Sequence, residues 1–111
     1  MTPTPLTYEI LLALADGDRH GYGIIKEIEA RGGAAPSTGA LYLALQRMER
    51  EGLIADSPEP PVESDDARRR YYRVSERGRA IAEEESRRLG ELVAAARAKK
   101  LLTGAAGGGR A

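Results

Sequence analysis

The chain has 111 residues, 41% hydrophobic and 31% charged, which describes one small globular domain rather than a disordered chain. The absence of cysteine excludes disulfides, thiolate metal sites and cysteine nucleophiles. No apolar run approaches the ~20 residues of a spanning helix, and the opening MTPTPLTYEILLAL has no basic leader region, so a cytoplasmic protein with no membrane partner is expected. Net charge is zero, yet six arginines face the single acid Glu76 between Arg68 and Arg79, a local excess of +5 that leaves −5 for the rest.

Three short helices come first. Thr4 and Pro5 form a cap and first helical position, after which Ile10, Leu11 and Leu14 share a face until the turn Asp16-Gly17-Asp18. A second helix is predicted from about His20 to Arg31, with Gly21, Ile24, Ile25 and Ile28 inward, ending at Gly32-Gly33. In the third, Ser37 is the cap, and Leu41, Leu45 and Met48 form a narrow apolar stripe. Gly52 is placed to end it in the left-handed conformation, with Leu53 folding back on Met48.

The period then changes. Residues Leu53 to Asp56 read as a strand, Ser57 to Ala67 as a loop rich in proline and acids, and Arg69 to Val74 as a second strand. Tyr72 and Val74 are expected to face the core, with Tyr71 and Arg73 on the opposite side. From the capping Ser75 a long helix is predicted to about Leu102, followed by a mobile tail poor in side chains over residues 103–111.

Three helices, a two-stranded hairpin and a long helix form the order of a winged helix-turn-helix. The fold class is thus mainly α with a small β-hairpin, divided into a winged domain (1–74), a dimerisation helix (75–102) and the tail. The third helix turns this order toward double-stranded DNA. Its outer face carries Gly39, Leu43, Gln46, Arg47 and Arg50, with Tyr42 on the flank. A major groove admits such a helix, glutamine and arginine can read adenine and guanine edges, and an aliphatic side chain can meet a thymine methyl. A wet helix face or an arginine-rich solvated loop would explain any one of these features alone. Only their arrangement favours DNA.

Residues 6–79 resemble the PadR family of transcriptional regulators. The matching stretches are His20-Gly21-Tyr22, Ser37-Thr38-Gly39-Ala40-Leu41-Tyr42, Arg47 to Ile54, and Arg70 to Gly78. Leu43 stands where that family commonly has proline, and Gly23 where it often has an acidic or polar residue. The resemblance implies a repressor that dimerises through its C-terminal helix and responds to a small aromatic or drug-like effector, although Trp and Phe, the usual stacking rings, are absent.

The candidate DNA contacts are Ser37, Thr38, Gly39, Tyr42, Leu43, Gln46 and Arg47 on the third helix, Arg69 and Arg70 on the wing, and His20, Tyr22 and Lys26 on the second helix. Gln46 and Arg47 are assigned to bases. Arg69 and Arg70 are assigned to phosphate, with Lys26 and the His20–Tyr22 helix start as lesser candidates. Leu89, Leu92, Val93 and Ala96 are the expected homodimer seam, helped by Leu6 and Leu12. His20, the sole histidine, has no companion nucleophile or ligand set, so no catalytic residue, metal or cofactor is expected. A winged-helix protein-interaction module that never touches DNA is the competing reading.

Overall fold

The computed structural model describes residues 1–58 and 70–103. Each helix begins where a side chain answers an orphan backbone N–H. Thr4 Oγ1 accepts from the Thr7 N–H at 3.1 Å to open α1, Pro5–Leu14, with proline in its first turn. Ser37 Oγ accepts from the Ala40 N–H at 3.1 Å to open α3, Thr38–Arg50. His20 does the same for α2, Gly21–Ala30, its Nδ1 accepting from the Gly23 N–H at 3.0 Å.

α3 ends as the sequence suggests. Gly52 takes φ +77°, its N–H donates to the Glu49 carbonyl, and the Leu53 N–H reaches back to the Met48 carbonyl at 2.9 Å. The core is continuous across the helices. Ile10, Leu11 and Leu14 of α1 meet Ile24 and Ile28 of α2, Leu41, Leu45 and Met48 of α3, and Leu53 just beyond it.

Sequence reading expected a two-stranded wing, but the sheet has three strands. β1, Arg19–His20, pairs antiparallel with β3, Tyr71–Val74, which pairs antiparallel with β2, Ile54–Asp56. The extended backbone that His20 needs as a cap (φ −88°, ψ 173°) is also strand geometry, so one residue ends β1 and caps α2. The helix thus starts about where expected, with His20 as its cap, and the strand before it is the addition. Tyr71 is corrected: expected on the outer face, it is buried, because β1 lies beside it and the His20 ring meets its edge at 5.1 Å. Tyr72 is buried as expected, and Val74 packs partly against the core. The wing tip, with Asp65, Asp66, Arg68 and Arg69, lies outside the described residues.

Ser75 caps α4, Glu76–Ala98, a rod of ~35 Å at 1.5 Å per residue. It stops short of the expected Leu102 because the chain reverses after Lys99. Lys100 takes φ +65°, and the Leu101 N–H closes on the Ala96 carbonyl at 2.8 Å. The expected tail, from residue 104 on, lies outside the described residues. The first half of α4 packs on the domain through buried Gly78, Ile81 and Glu85, and Ser86 shares a 2.7 Å hydrogen bond with Tyr8 of α1. The second half stands clear, leaving Leu92 53% and Val93 44% exposed.

Arg88 donates two hydrogen bonds to the Glu85 carboxylate, at 3.0 and 2.7 Å, and holds that carboxyl below its ordinary pKa. A depressed carboxyl stabilises the fold above its unfolded pKa and loses that contribution as pH falls through the folded value. The stability gap between the wild type and Glu85→Gln should therefore be present at neutral pH and close as pH falls from about 5 to about 3; thermal unfolding across that range checks it.

Gly78 marks the tightest approach, since a Cβ there would collide with the Leu53 carbonyl oxygen, whereas one at Gly39 would meet nothing. Gly78→Ala should cost about 1–3 kcal/mol and Gly39→Ala nothing, measured by urea unfolding.

Candidate nucleic-acid interface

Burying Leu41, Ala44, Leu45 and Met48 turns the other side of α3 outward. Gly39, Leu43, Gln46 and Arg50, spaced four, three and four apart, form one exposed ridge along it. Leu43 is 70% exposed. Ser37 and Thr38 open the helix at the exposed end of this ridge, with Ser37 already engaged as cap.

Arg47 does not join them. Its guanidinium turns back to α1 and donates to Thr7 Oγ1 at 2.7 Å, where Thr7 is buried. Arg47, expected to read a base, here links α3 to α1, because position 47 flanks the buried stripe and a long side chain there can reach across. Arg50, named in the sequence as part of the outer face but given no contact, has no partner among the described residues and ends the ridge.

A second surface forms where α2 begins. His20, Gly21 and Tyr22 face Tyr42 of α3 and Arg70 of the wing around a cavity of about 260 Å³. Tyr42 lies so close over Gly21 that a Cβ at that position would displace its hydroxyl. The exposed Lys26 ammonium sits 5.6 Å from the centre of the Tyr22 ring and pairs loosely with Glu29 at 3.8 Å.

The arginines of the basic stretch are largely answered from within. Arg70 pairs with Asp56 of β2 and, at 2.7 Å, with Glu49 of α3, and its guanidinium lies 5.3 Å from the Tyr72 ring centre. The hydrogen bond to Asp56 holds Arg70 above its ordinary pKa. Arg73 faces Asp18 at 3.5 Å, while Arg77 and Arg79 donate to the carbonyls of Glu51 and Ala15, each at 3.0 Å. Those two carbonyls close α3 and α1, the negative ends of their helices. Among the described residues, these arginines thus serve helix ends and carboxylates more than an open phosphate surface. Arg69, the other wing candidate, lies outside the described residues.

Opposite this surface, α1 and α4 enclose a groove of about 290 Å³, lined by Tyr8, Leu11, Leu12, Val74, Ala82 and Ser86 among others. Leu12 is 39% exposed there, whereas Leu6 is half-buried against the core. Leu89 and Ala96 are half-buried on α4.

Helices, antiparallel sheet and trailing helix define a winged helix-turn-helix. Residues 10–84 match the transcriptional regulator PadR-like family, and the chain belongs to it. It is 40% identical over 83 residues to the transcriptional regulator Rv3488 of Mycobacterium tuberculosis, spanning 75% of this chain and 74% of that protein. It is 36% identical, again over 83 residues, to an uncharacterized 37.1 kDa protein in transposon TN4556 of Streptomyces fradiae, of which the chain spans only 22%. Among solved structures, a PadR family regulator from hypervirulent Clostridium difficile R20291 superposes with a TM-score of 0.73 at 26% identity, covering 85% of this chain and 96% of that one. Bacillus subtilis PadR, solved in complex with operator DNA, shares the fold at a TM-score of 0.60 and 19% identity, over 73% of this chain and 46% of that one. The chain is a transcriptional regulator and not an enzyme. No described helix is long and apolar enough to cross a membrane.

An arginine engaged within the fold and one on the exposed ridge fail differently when removed. Arg47→Ala should lower the unfolding free energy by about 1.5–3 kcal/mol, the range for hydrogen bonds involving charged groups, as read by denaturant unfolding. Arg50→Ala should leave it within about 0.5 kcal/mol, as for an exposed site without partners.

Proposed function

We propose that the chain is a cytoplasmic, sequence-specific DNA-binding repressor that holds an inverted-repeat operator as a homodimer and is released by a small-molecule effector. The observation that carries this reading is the ridge Gly39–Leu43–Gln46–Arg50, on a helix whose other side is locked into the core. It has the width and chemistry of a major-groove reader: no side chain where the helix enters, then an aliphatic group, an amide and a guanidinium. The operator complex of Bacillus subtilis PadR shows that a protein of this fold engages DNA.

The roles then divide by position. Gln46 reads a base edge, with Ser37, Thr38 and Tyr42 beside it, and Arg50 takes phosphate at the far end of the ridge. His20, Tyr22 and Lys26 take phosphate from the α2 side. Arg70 reaches phosphate by exchanging its carboxylate partners, the exposed Asp56 and the half-buried Glu49, and Arg69 is its neighbour in sequence.

The dimer is supported by the outer half of α4. Leu89, Leu92, Val93 and Ala96 recur at i, i+3, i+4 and i+7, and the domain leaves Leu92 and Val93 uncovered. Leu12 of α1 lines a shared cavity with Leu89 and extends this apolar surface, and Leu6, half-buried against the core, is the further candidate from α1. The groove between α1 and α4 offers a small aromatic or drug-like compound an apolar floor and the hydroxyls of Tyr8 and Ser86. Such a compound acts by binding the DNA-incompetent arrangement of the two heads more tightly than the competent one.

Fluorescence anisotropy with duplexes selected from a random library tests the whole reading. Tight, salt-dependent binding to an inverted repeat whose half-site centres lie ~10 bp apart is expected, and a ~5 bp insertion between half-sites should abolish it by turning one head to the far side of the duplex. Leu92→Asp should give a folded monomer by sedimentation that loses the same tight binding. No selective duplex binding would leave the protein-interaction module as the reading.

A further inference from the structure

The ridge contains a residue that phosphate attraction and hydrogen bonding do not explain. Leu41 and Leu45 of α3 are fully buried, whereas Leu43 is 70% exposed beside Gln46. Its neighbours leave it room to act. Gly39, one turn before it, carries no side chain and has open space around it. Tyr42, the adjacent large residue, leans away over Gly21 of α2. Along this ridge α3 therefore presents one apolar group, Leu43, followed by one amide, Gln46.

Resting on the DNA reading above, we infer that Leu43 determines specificity by contacting the C5-methyl of a thymine, on the base pair next to the one read by Gln46. An alkyl side chain cannot use the donors and acceptors of the major groove, and the thymine methyl is the one apolar feature displayed there. Residues 43 and 46 are separated by ~4.5 Å along the helix axis, close to the ~3.4 Å spacing of successive bases on a strand, so a helix lying along the groove sets them on adjacent pairs. Glutamine matches adenine N6 and N7. Each half-site then holds two neighbouring A·T pairs, one turned to present its methyl and the other its adenine edge.

Uracil separates this contact from all others, because it lacks only the methyl and keeps every hydrogen-bonding group. Purified full-length protein is used to select duplexes from a random library, and the thymine of the paired A·T step is then replaced by deoxyuridine. The wild type should lose about fourfold in affinity per substituted half-site, the factor expected for one apolar carbon group returned to water. Leu43→Ala should bind the thymine duplex about as weakly as the wild type binds the uracil duplex, and should no longer distinguish the two. Its thermal unfolding should stay close to that of the wild type, since Leu43 is 70% exposed.

Equal binding of thymine and uracil duplexes by the wild type overturns the inference. So does discrimination that survives Leu43→Ala, or a selected half-site with no adjacent A·T pairs. In these cases duplex binding itself persists, and only the role of Leu43 falls. Failure to select any duplex removes the DNA reading and this inference with it.

Discussion

The backbone of Leu53 is used from both sides. Its N–H closes α3 on the Met48 carbonyl, and its carbonyl accepts the Ser75 N–H at 3.0 Å, where α4 is about to begin. Ser75 Oγ meanwhile donates to the Gly52 carbonyl and accepts from the Gly78 N–H. The side chain of Leu53 is fully buried, and the first turn of α4 lies so close that only glycine fits at position 78. Four residues therefore fix the end of α3, the register of the β2–β3 pair and the departure of α4. The direction in which the α3 ridge faces, relative to the helix that would join two copies, is set at this junction. Backbone hydrogen bonds and packing fix it, and Arg77 of α4 reinforces it by donating to the Glu51 carbonyl at the end of α3.

Much of this was legible because it is local. Thr4, Ser37 and Ser75 are caps by residue type and position, and Gly52 followed by Leu53 is a reversal signal readable within six residues. The buried stripe Leu41, Leu45, Met48 follows from period alone. Two-residue β1 was not legible, since a strand that short has no period, and His20 carries no strand signal of its own. Its existence depends on Tyr71 and Tyr72 arriving alongside from more than fifty residues away. The burial of Tyr71 was missed for the same reason.

The charges were the least legible part of the site. An arginine written in a basic run looks available, but its partner is decided by the fold. Arg77 and Arg79 meet carbonyls at the ends of other helices, Arg73 meets Asp18, and Arg47 meets Thr7 forty positions earlier. None of these pairings has a sequence spacing that could be read. Arg50, by contrast, was visible on the outer face and lacked only a reason to prefer it over Arg47. That reason is tertiary: position 47 flanks the core stripe, and position 50 continues the ridge.

Arg70 shows how a charge can be engaged and still be of use. Its partners sit on two elements, Glu49 on α3 and Asp56 on β2, so the ion pairs tie the base of the wing to the ridge helix. More than half of the arginine side chain remains exposed, and such pairs contribute about 0–1 kcal/mol each. Exchanging a carboxylate for a phosphate therefore costs little. Until that exchange, Glu49 and Asp56 offset the positive charge beside the ridge and weaken indiscriminate attraction to any duplex. In a chain of zero net charge, with Arg70 and Arg73 of the wing paired to carboxylates and Arg77 and Arg79 of α4 held by carbonyls, long-range attraction to phosphate is small. Discrimination between sequences then falls on the short-range contacts of α3, where an exposed leucine and an exposed glutamine stand side by side.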